Sequence, residues 1–394
     1  MRSYYAGDYD DAARRLAPLA DKTNENFVLN NLRLGSTELM RSDLTSAENA
    51  FVRAYEVINS YGVNNGGRSL GAVLVDEKIK IFKGEPYERA MADFYLGLVY
   101  YMRHDYANAR GAFESALFKL RDYGDTKEKK ADDYREIESN FAIAAIMLGK
   151  CWQHLGREDL ARANFERAQQ IRPDLKYLAD YELNLESNLL LIVEYGQAPR
   201  KVTDFDGSMV GFSPTPVQAG PIPLPRVFVD GRDMDATGVA RPAVDLVAMA
   251  SDRVWQSIDT IRLIKSAVGT GLLMAGTYEG FRGLNESGSA QQRDLTAAAI
   301  LLGTGLLLKA TSQADVRQWE MLPRAVFVIP LYVPPGSHDV VVDFPGIPGL
   351  RQEIRNLQVA EGAETTYLLR MSLITHTPRT PLPAGDDEHV VVSP

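Results

Sequence analysis

One arrangement of residues returns three times in the first half of the chain and limits what that half can become. Leu148, Gly149 and Trp152 lead to Ala161, Phe165, Ala168 and Pro173. Leu96, Gly97 and Tyr100 lead to Ala109, Phe113 and Ala116. Leu34 and Gly35 lead to Ala47, Phe51 and Ala54, with Glu38 in place of the aromatic. The interval from each Gly to the first Ala, and to the Phe, is the same in all three copies. Gly and Ala let the two helices of a hairpin approach closely, Phe and Tyr are expected to fill the gap between neighbouring hairpins, and the short polar breaks, such as Arg103 to Tyr106 and Leu155 to Glu158, read as tight turns.

This spacing is that of tetratricopeptide (TPR) helical hairpins. Gly7, Asp8 and Tyr9, followed by Ala12, Leu16 and Leu19, read as the second helix of one more copy, whose first helix would lie upstream of Met1. The expectation is therefore a truncated first repeat and a native N-terminus that is missing. The copies are unevenly placed, about fifty and about sixty residues apart against a usual period of about 34, which puts insertions near 59–86 and 118–132. Inward-facing positions are expected at Leu32, Leu39, Phe94, Leu98, Tyr101, Ile146, Lys150 and Gln153. With Phe94 and Leu98 there, the groove does not suit a terminal carboxylate; it suits an amphipathic helix or an apolar segment of a partner. An equal alternative is that the C-terminal half of the chain covers it.

Past Pro173 the pattern changes. Leu189 to Val193 reads as a buried strand, and five prolines between Pro214 and Pro225 mark an extended or loop stretch. Further strands are expected at Arg226 to Gly231, Ala325 to Val333, Asp339 to Phe344 and Thr365 to Leu373, with Val333 to His338 as a hairpin loop. Asp245 to Ala267 and Leu295 to Ala310 read as a buried helical hairpin whose apolar run is short of a membrane span. The expected class is α+β and multidomain. A TPR domain occupies residues 1–185, a C-terminal domain with a small sheet or sandwich and a helical hairpin 186–375, and a disordered tail 376–394.

The net charge of −9 argues against nucleic acid as a partner, because a phosphate backbone demands a basic footprint. One cysteine, Cys151, excludes an internal disulfide framework and reads as a packed thiol. The five histidines show no metal-ligand spacing, and no nucleophile elbow, P-loop or dinucleotide fingerprint is present. Asp230, Asp233 and Asp235 read as a polar turn, since they do not match a calcium loop. Glu194 and Asp315 offer no convincing acid–base pair. Neither catalytic residues, nor a cofactor, nor a metal are expected.

Four segments together resemble an uncharacterised family of bacterial TPR-containing proteins, often predicted to be envelope lipoproteins. They are Phe82 to Arg89, Val193 to Lys201, Ala314 to Pro323 and His338 to Val342, and the resemblance spans about residues 25 to 373. It implies a location in the cell envelope and an acylated cysteine after an N-terminal signal. This chain shows neither at its start, although a missing upstream segment would restore them. The resulting expectation is a non-catalytic scaffold or adaptor of the bacterial envelope that binds a protein or peptide, on the periplasmic side or else in the cytoplasm. The rival readings are a structural envelope component whose repeats pack on its own C-terminal domain, and an unrecognised hydrolase in the β-rich half.

Overall fold

The computed structural model describes residues 1–59, 81–120, 141–204, 209–213, 221–251 and 317–371. The expected insertions fall largely outside these residues. So do Asp315, nearly all of the helical hairpin and the tail.

The repeat half forms antiparallel helix pairs. A short turn of helix, α1 (Arg2–Tyr5), precedes α2 (Tyr9–Ala20), and three hairpins follow. These are α3 (Phe27–Met40) with α4 (Leu44–Asn59), α5 (Pro86–Met102) with α6 (Tyr106–Lys119), and α7 (Ala142–His154) with α8 (Glu158–Ile171). In each, the Phe packs on the Gly of its own hairpin, a contact that differs from the sequence expectation, which assigns Phe to the gap between neighbouring hairpins. A Cβ placed on Gly35, Gly97 or Gly149 would lie 2.8, 2.7 or 2.8 Å from a ring carbon of Phe51, Phe113 or Phe165. Polar caps begin several helices: Asp8 accepts from the Asp11 amide at 3.0 Å and Asp105 from the Asn108 amide at 3.1 Å. Glu85 and Glu88 form a capping box at the start of α5.

The inner and outer helices bury different amounts of surface. The outer helix α8 buries only Ala161, Phe165 and Ala168 on one stripe. The inner helix α7 is buried at every residue from Ala142 to Cys151, and α5 is nearly so. A helix buried all round must be covered on both sides. Something therefore lies on the concave face.

That cover is a sheet. After α9 (Tyr181–Glu186) the chain enters β1 (Leu189–Tyr195), followed by β2 (Arg200–Asp204), β3 (Met209–Ser213), β4 (Arg226–Val229), β5 (Arg232–Asp233) and β6 (Pro242–Asp245). A short α10 (Leu246–Ser251) precedes β7 (Ala325–Leu331), β8 (Gly336–Asp343), β9 (Arg351–Val359) and β10 (Thr365–Met371). One four-stranded sheet has the order β10-β1-β7-β6 and a second the order β5-β4-β8-β9. β2 and β3 form a separate antiparallel pair. β1 pairs parallel with β10 and antiparallel with β7, and is buried at all seven residues.

Alternation along β1 divides its side chains between two cores. Leu190 and Ile192 join the helices, with Val326, Val328 and Leu368 beside them. Leu189, Leu191 and Val193 join Val227, Val340, Val342, Ile354 and Leu357 of the second sheet. The result is four layers: outer helices, inner helices, sheet and sheet. The α+β class and the sandwich are present.

Two sequence expectations need correction. The segment Val333 to His338 is not a hairpin loop, because β7 and β8 belong to different sheets and the segment carries the chain from one layer to the next. β9 was not expected at all. Its buried residues Gln352, Ile354, Leu357 and Val359 change parity at Asn356, where a bulge against His338 and Val340 places Asn356 at φ 56° and breaks the two-residue period.

Candidate functional site

The expected groove is filled from within the chain. Leu32, Leu39, Leu98 and Ile146 are buried in the core shared by helices and sheet. Phe94 does not face the concave side; its ring lies 5.5 Å from Phe113 and 5.9 Å from Phe141, inside the helical layer. The Gly97–Phe113 contact sets that rotation, which places Phe94 on the hairpin side of α5. The remaining three residues are bonded within the chain, two of them to the C-terminal half. Gln153 donates to the Tyr181 carbonyl at 2.9 Å, and Tyr101 and Lys150 both meet Glu364. Among the described residues this set is engaged within the chain: its apolar members lie in a core that includes strands of the sheet, and its polar members bond Tyr181 and Glu364.

Three polar nodes fasten the sheet to the helices. Glu364, one residue before β10, is the first. Lys150 Nζ lies 2.7 Å from its Oε2, and the Tyr101 hydroxyl donates to Oε1 at 2.7 Å. His154 is 3.0 Å from that hydroxyl and stacks on Tyr106 with ring centroids 4.1 Å apart. Burial alone would raise the Glu364 carboxyl, but the Lys150 ammonium and hydrogen bonds from His154, Lys150 and Tyr101 prevail and hold it at about 2. Lys150 is 1% exposed, so the pair is fully buried and each charge depends on the other.

Glu194 of β1 and Arg370 of β10 form the second node. They are register neighbours, 3.0 Å apart, in the row that faces the helices. Tyr95 of α5 donates to Glu194, and Arg370 also donates to the carbonyls of Met321 at 2.6 Å and Gly196 at 2.8 Å. Burial raises the Glu194 carboxyl against the opposing pull of Arg370. Asn184 carries the bracing further: its amide nitrogen donates to the carbonyls of Leu178 and Asp180 while its oxygen accepts from Lys150 at 3.3 Å.

The third node joins segments far apart in sequence. Glu88 accepts from the Trp319 amide at 2.5 Å and from the Glu85 amide at 2.7 Å. Lys201 Nζ pairs with Glu85 at 2.7 Å and donates to the Arg317 carbonyl at 2.7 Å, while its amide donates to the Gln318 side chain at 2.6 Å. Burial pushes the Glu88 carboxyl up to about 7. Phe82 to Arg89, Val193 to Lys201 and the described residues of Ala314 to Pro323, from Arg317 on, belong to three of the four segments that carry the family resemblance and meet at one seam.

Sequence reasoning missed Glu364, Arg370, Glu88, Arg33 and Trp319 as working residues. Only Glu88 and Trp319 left a trace, by lying in those segments. Spacing could not find the others, because each finds its partner across more than a hundred residues of chain.

Clefts indent the described surface. One, of about 470 Å³, lies beside the third node and is lined by Asn24, Asn26, Asn30, Arg33, Arg317 and Glu320 among others. A second, of about 500 Å³, is lined by residues of α6, α7 and α8, including Glu114, Phe118 and Arg167. In the second lining the Ser115 hydroxyl donates to the buried carboxylate of Asp93 at 2.6 Å. Cys151 is fully buried, which raises its thiol further from ionisation. Asp230 accepts from the Asp339 amide at 2.9 Å and meets His338 at 2.6 Å, in a polar turn. Among the described residues no group of His, Cys, Asp and Glu could hold a metal ion, and no helix is long and apolar enough to cross a membrane.

No protein-family profile matches the chain, and no curated protein does. Among solved structures, one of those matched is described as "Crystal structure of MamA", 18% identical over 47% of this chain and 79% of that chain, with a TM-score of 0.31. The repeat assignment rests on the three hairpins and their Gly–Phe contacts.

Proposed function

We propose that the protein is a non-catalytic scaffold whose TPR-like repeats serve as the seat for its own C-terminal sheet. The observation that carries this is the convergence of Tyr101 and Lys150, two expected partner-binding residues, on the buried carboxylate of Glu364. A groove that spends its polar side chains and its apolar floor on the same chain is a structural element. The reading of the repeats as an internal support is therefore favoured over an open adaptor groove.

A place in the bacterial envelope belongs to the same proposal and is supported by the sequence resemblance. Fractionation of cells producing the protein at its native level is expected to recover it with the envelope; recovery in the cytosol would remove that part.

The test of the central reading is photo-crosslinking in the cell from Gln153, which is only partly buried at the rim of the seam. Crosslinks confined to the chain itself are expected. A discrete adduct with another protein from this position would return the groove to partner binding and overturn the self-seated scaffold.

A further inference from the structure

Within the segment Arg317–Leu322, residues Arg317, Trp319 and Glu320 are held by the repeats in the manner of a bound peptide, while Gln318 and the carbonyls of Met321 and Leu322 are held from the C-terminal half. Arg317 donates to the Glu25 carbonyl at 2.6 Å and approaches the Asn26 side chain at 3.3 Å. The Gln318 side chain accepts from the Lys201 amide. The backbone amide of Trp319 is read by Glu88, and its ring is 5.6 Å from Tyr95 and 6.2 Å from Phe51. The Glu320 carboxylate is gripped by the Arg33 guanidinium, with contacts of 2.7, 2.9 and 3.1 Å, and its carbonyl accepts from Tyr5. A single turn follows, with the Leu322 amide 3.3 Å from the Trp319 carbonyl.

This segment is irregular backbone, neither helix nor strand. Its hydrogen bonds go to side chains and loop groups of both halves of the chain rather than into a ladder: Glu88, Arg33, Tyr5 and the Glu25 carbonyl on the repeat side, and Lys201, Ala198 and Arg370 on the other. A fully buried aromatic anchor, an arginine fork on the next residue's carboxylate and side chains reading the backbone are together the features of peptide recognition. One mismatch remains in the seat: the Trp319 indole Nε1 is buried with no acceptor among the described residues. A donor left unsatisfied opposes the bound state, so this occupant is not the best the pocket could hold.

We infer that the concave face around Arg33, Glu88 and Tyr95 is a peptide-binding site for a segment carrying an aromatic anchor followed by a carboxylate, and that Arg317–Leu322 occupies it as an intramolecular ligand. The inference rests on the self-seated reading above and names what the seat recognises. A protein presenting the same chemistry in a better form would compete with the resident segment.

The experiment uses the full chain with Trp319→Ala, checked by circular dichroism, and a labelled, end-blocked peptide of sequence Arg-Gln-Trp-Glu-Met-Leu. The variant binds the peptide, whereas the intact chain, its site filled, binds at least about a hundredfold more weakly. Replacing the peptide's tryptophan by alanine abolishes binding. Replacing it by 2-naphthylalanine, which removes the indole donor, tightens binding roughly tenfold. A second arm uses Arg33→Glu, which is expected to prefer a peptide with lysine at the glutamate position.

A folded Trp319→Ala chain that ignores the peptide at millimolar concentration overturns the inference. So does equal binding by variant and intact chain. Should both variants fail to fold, the segment is a strut of the core and the inference falls as well. None of these failures touches the scaffold reading, which stands or falls on the Gln153 crosslinks.

Discussion

Single carboxylates in this protein are set apart by their immediate neighbours, and opposite pH effects follow. Glu364 is held at about 2 from an ordinary 4.5, so its contribution is present above 4.5 and is lost as pH falls toward 2. Glu88 is pushed by burial from 4.5 to about 7 although two amides serve its charged form, and burial pushes Asp93 from 3.8 to about 6. For these two the folded state keeps a proton that the unfolded state has released. Stability therefore declines as pH rises through 4.5 to 7 and 3.8 to 6 respectively, each by at most ~3 kcal/mol. The expected profile has a maximum near mildly acidic pH, between the Glu364 limb and the Glu88 and Asp93 limb. Urea unfolding across pH 2 to 8 measures it. In Glu88→Gln the decline toward pH 7 flattens while the acid limb persists; an unchanged profile would mean that Glu88 is not buried as described. At this scale the sequence was a poor guide, because a glutamate reads the same whether it faces water, as at Glu361, or lies beneath a sheet, as at Glu364.

At the scale of the element, the hairpins depend on one small residue each. Gly97 sits against Phe113, and an added Cβ would lie 2.7 Å from the ring. Phe113 is fully buried and 5.5 Å from Phe94, so it has little room to retreat. Gly97→Ala is expected to cost about 2–3 kcal/mol through overpacking. Gly111, on the exposed side of α6, meets nothing within 4 Å of such a Cβ, and Gly111→Ala is expected to gain up to about 1 kcal/mol from helix propensity. Denaturant midpoints of the two variants give opposite signs if the hairpin packs as described, and a shared sign would count against it. The hairpins were legible in the sequence because Gly, Ala and Phe recur at fixed intervals under local packing rules. Strand β1 was legible as an unbroken apolar run, and β9 was not, because the bulge at Asn356 shifts its alternation. The start of β7 at Ala325 could be anticipated too, though it ends at Leu331 rather than Val333, but not that it pairs with β1 while its successor β8 joins the other sheet.

For the molecule as a whole, the sheet and inner helices share one core, so neither has a finished surface without the other. Leu190, Ile192, Val326 and Val328 lie in the same apolar cluster as Leu98 and Ile146. Unfolding followed by far-ultraviolet dichroism, which reports mostly the helices, is expected to coincide with a near-ultraviolet transition reporting the packed aromatics at the seam. Lys150→Met, which leaves the Glu364 charge buried without its cation, lowers both together by about 3–5 kcal/mol. Separate transitions would show that the seam is weaker than its ion pairs suggest. The sequence by itself determined the helical hairpins, their packing residues and the apolar character of the central strands, because those follow from intervals of a few residues along one element. Only the tertiary structure decided that the groove is closed, that Tyr101 and Lys150 serve Glu364, and that Trp319 is seated between Tyr95 and Phe51. Those outcomes depend on burial and charge pairing between positions far apart in the chain, and the free energy of such a pair is a property of the assembled interior rather than of either residue.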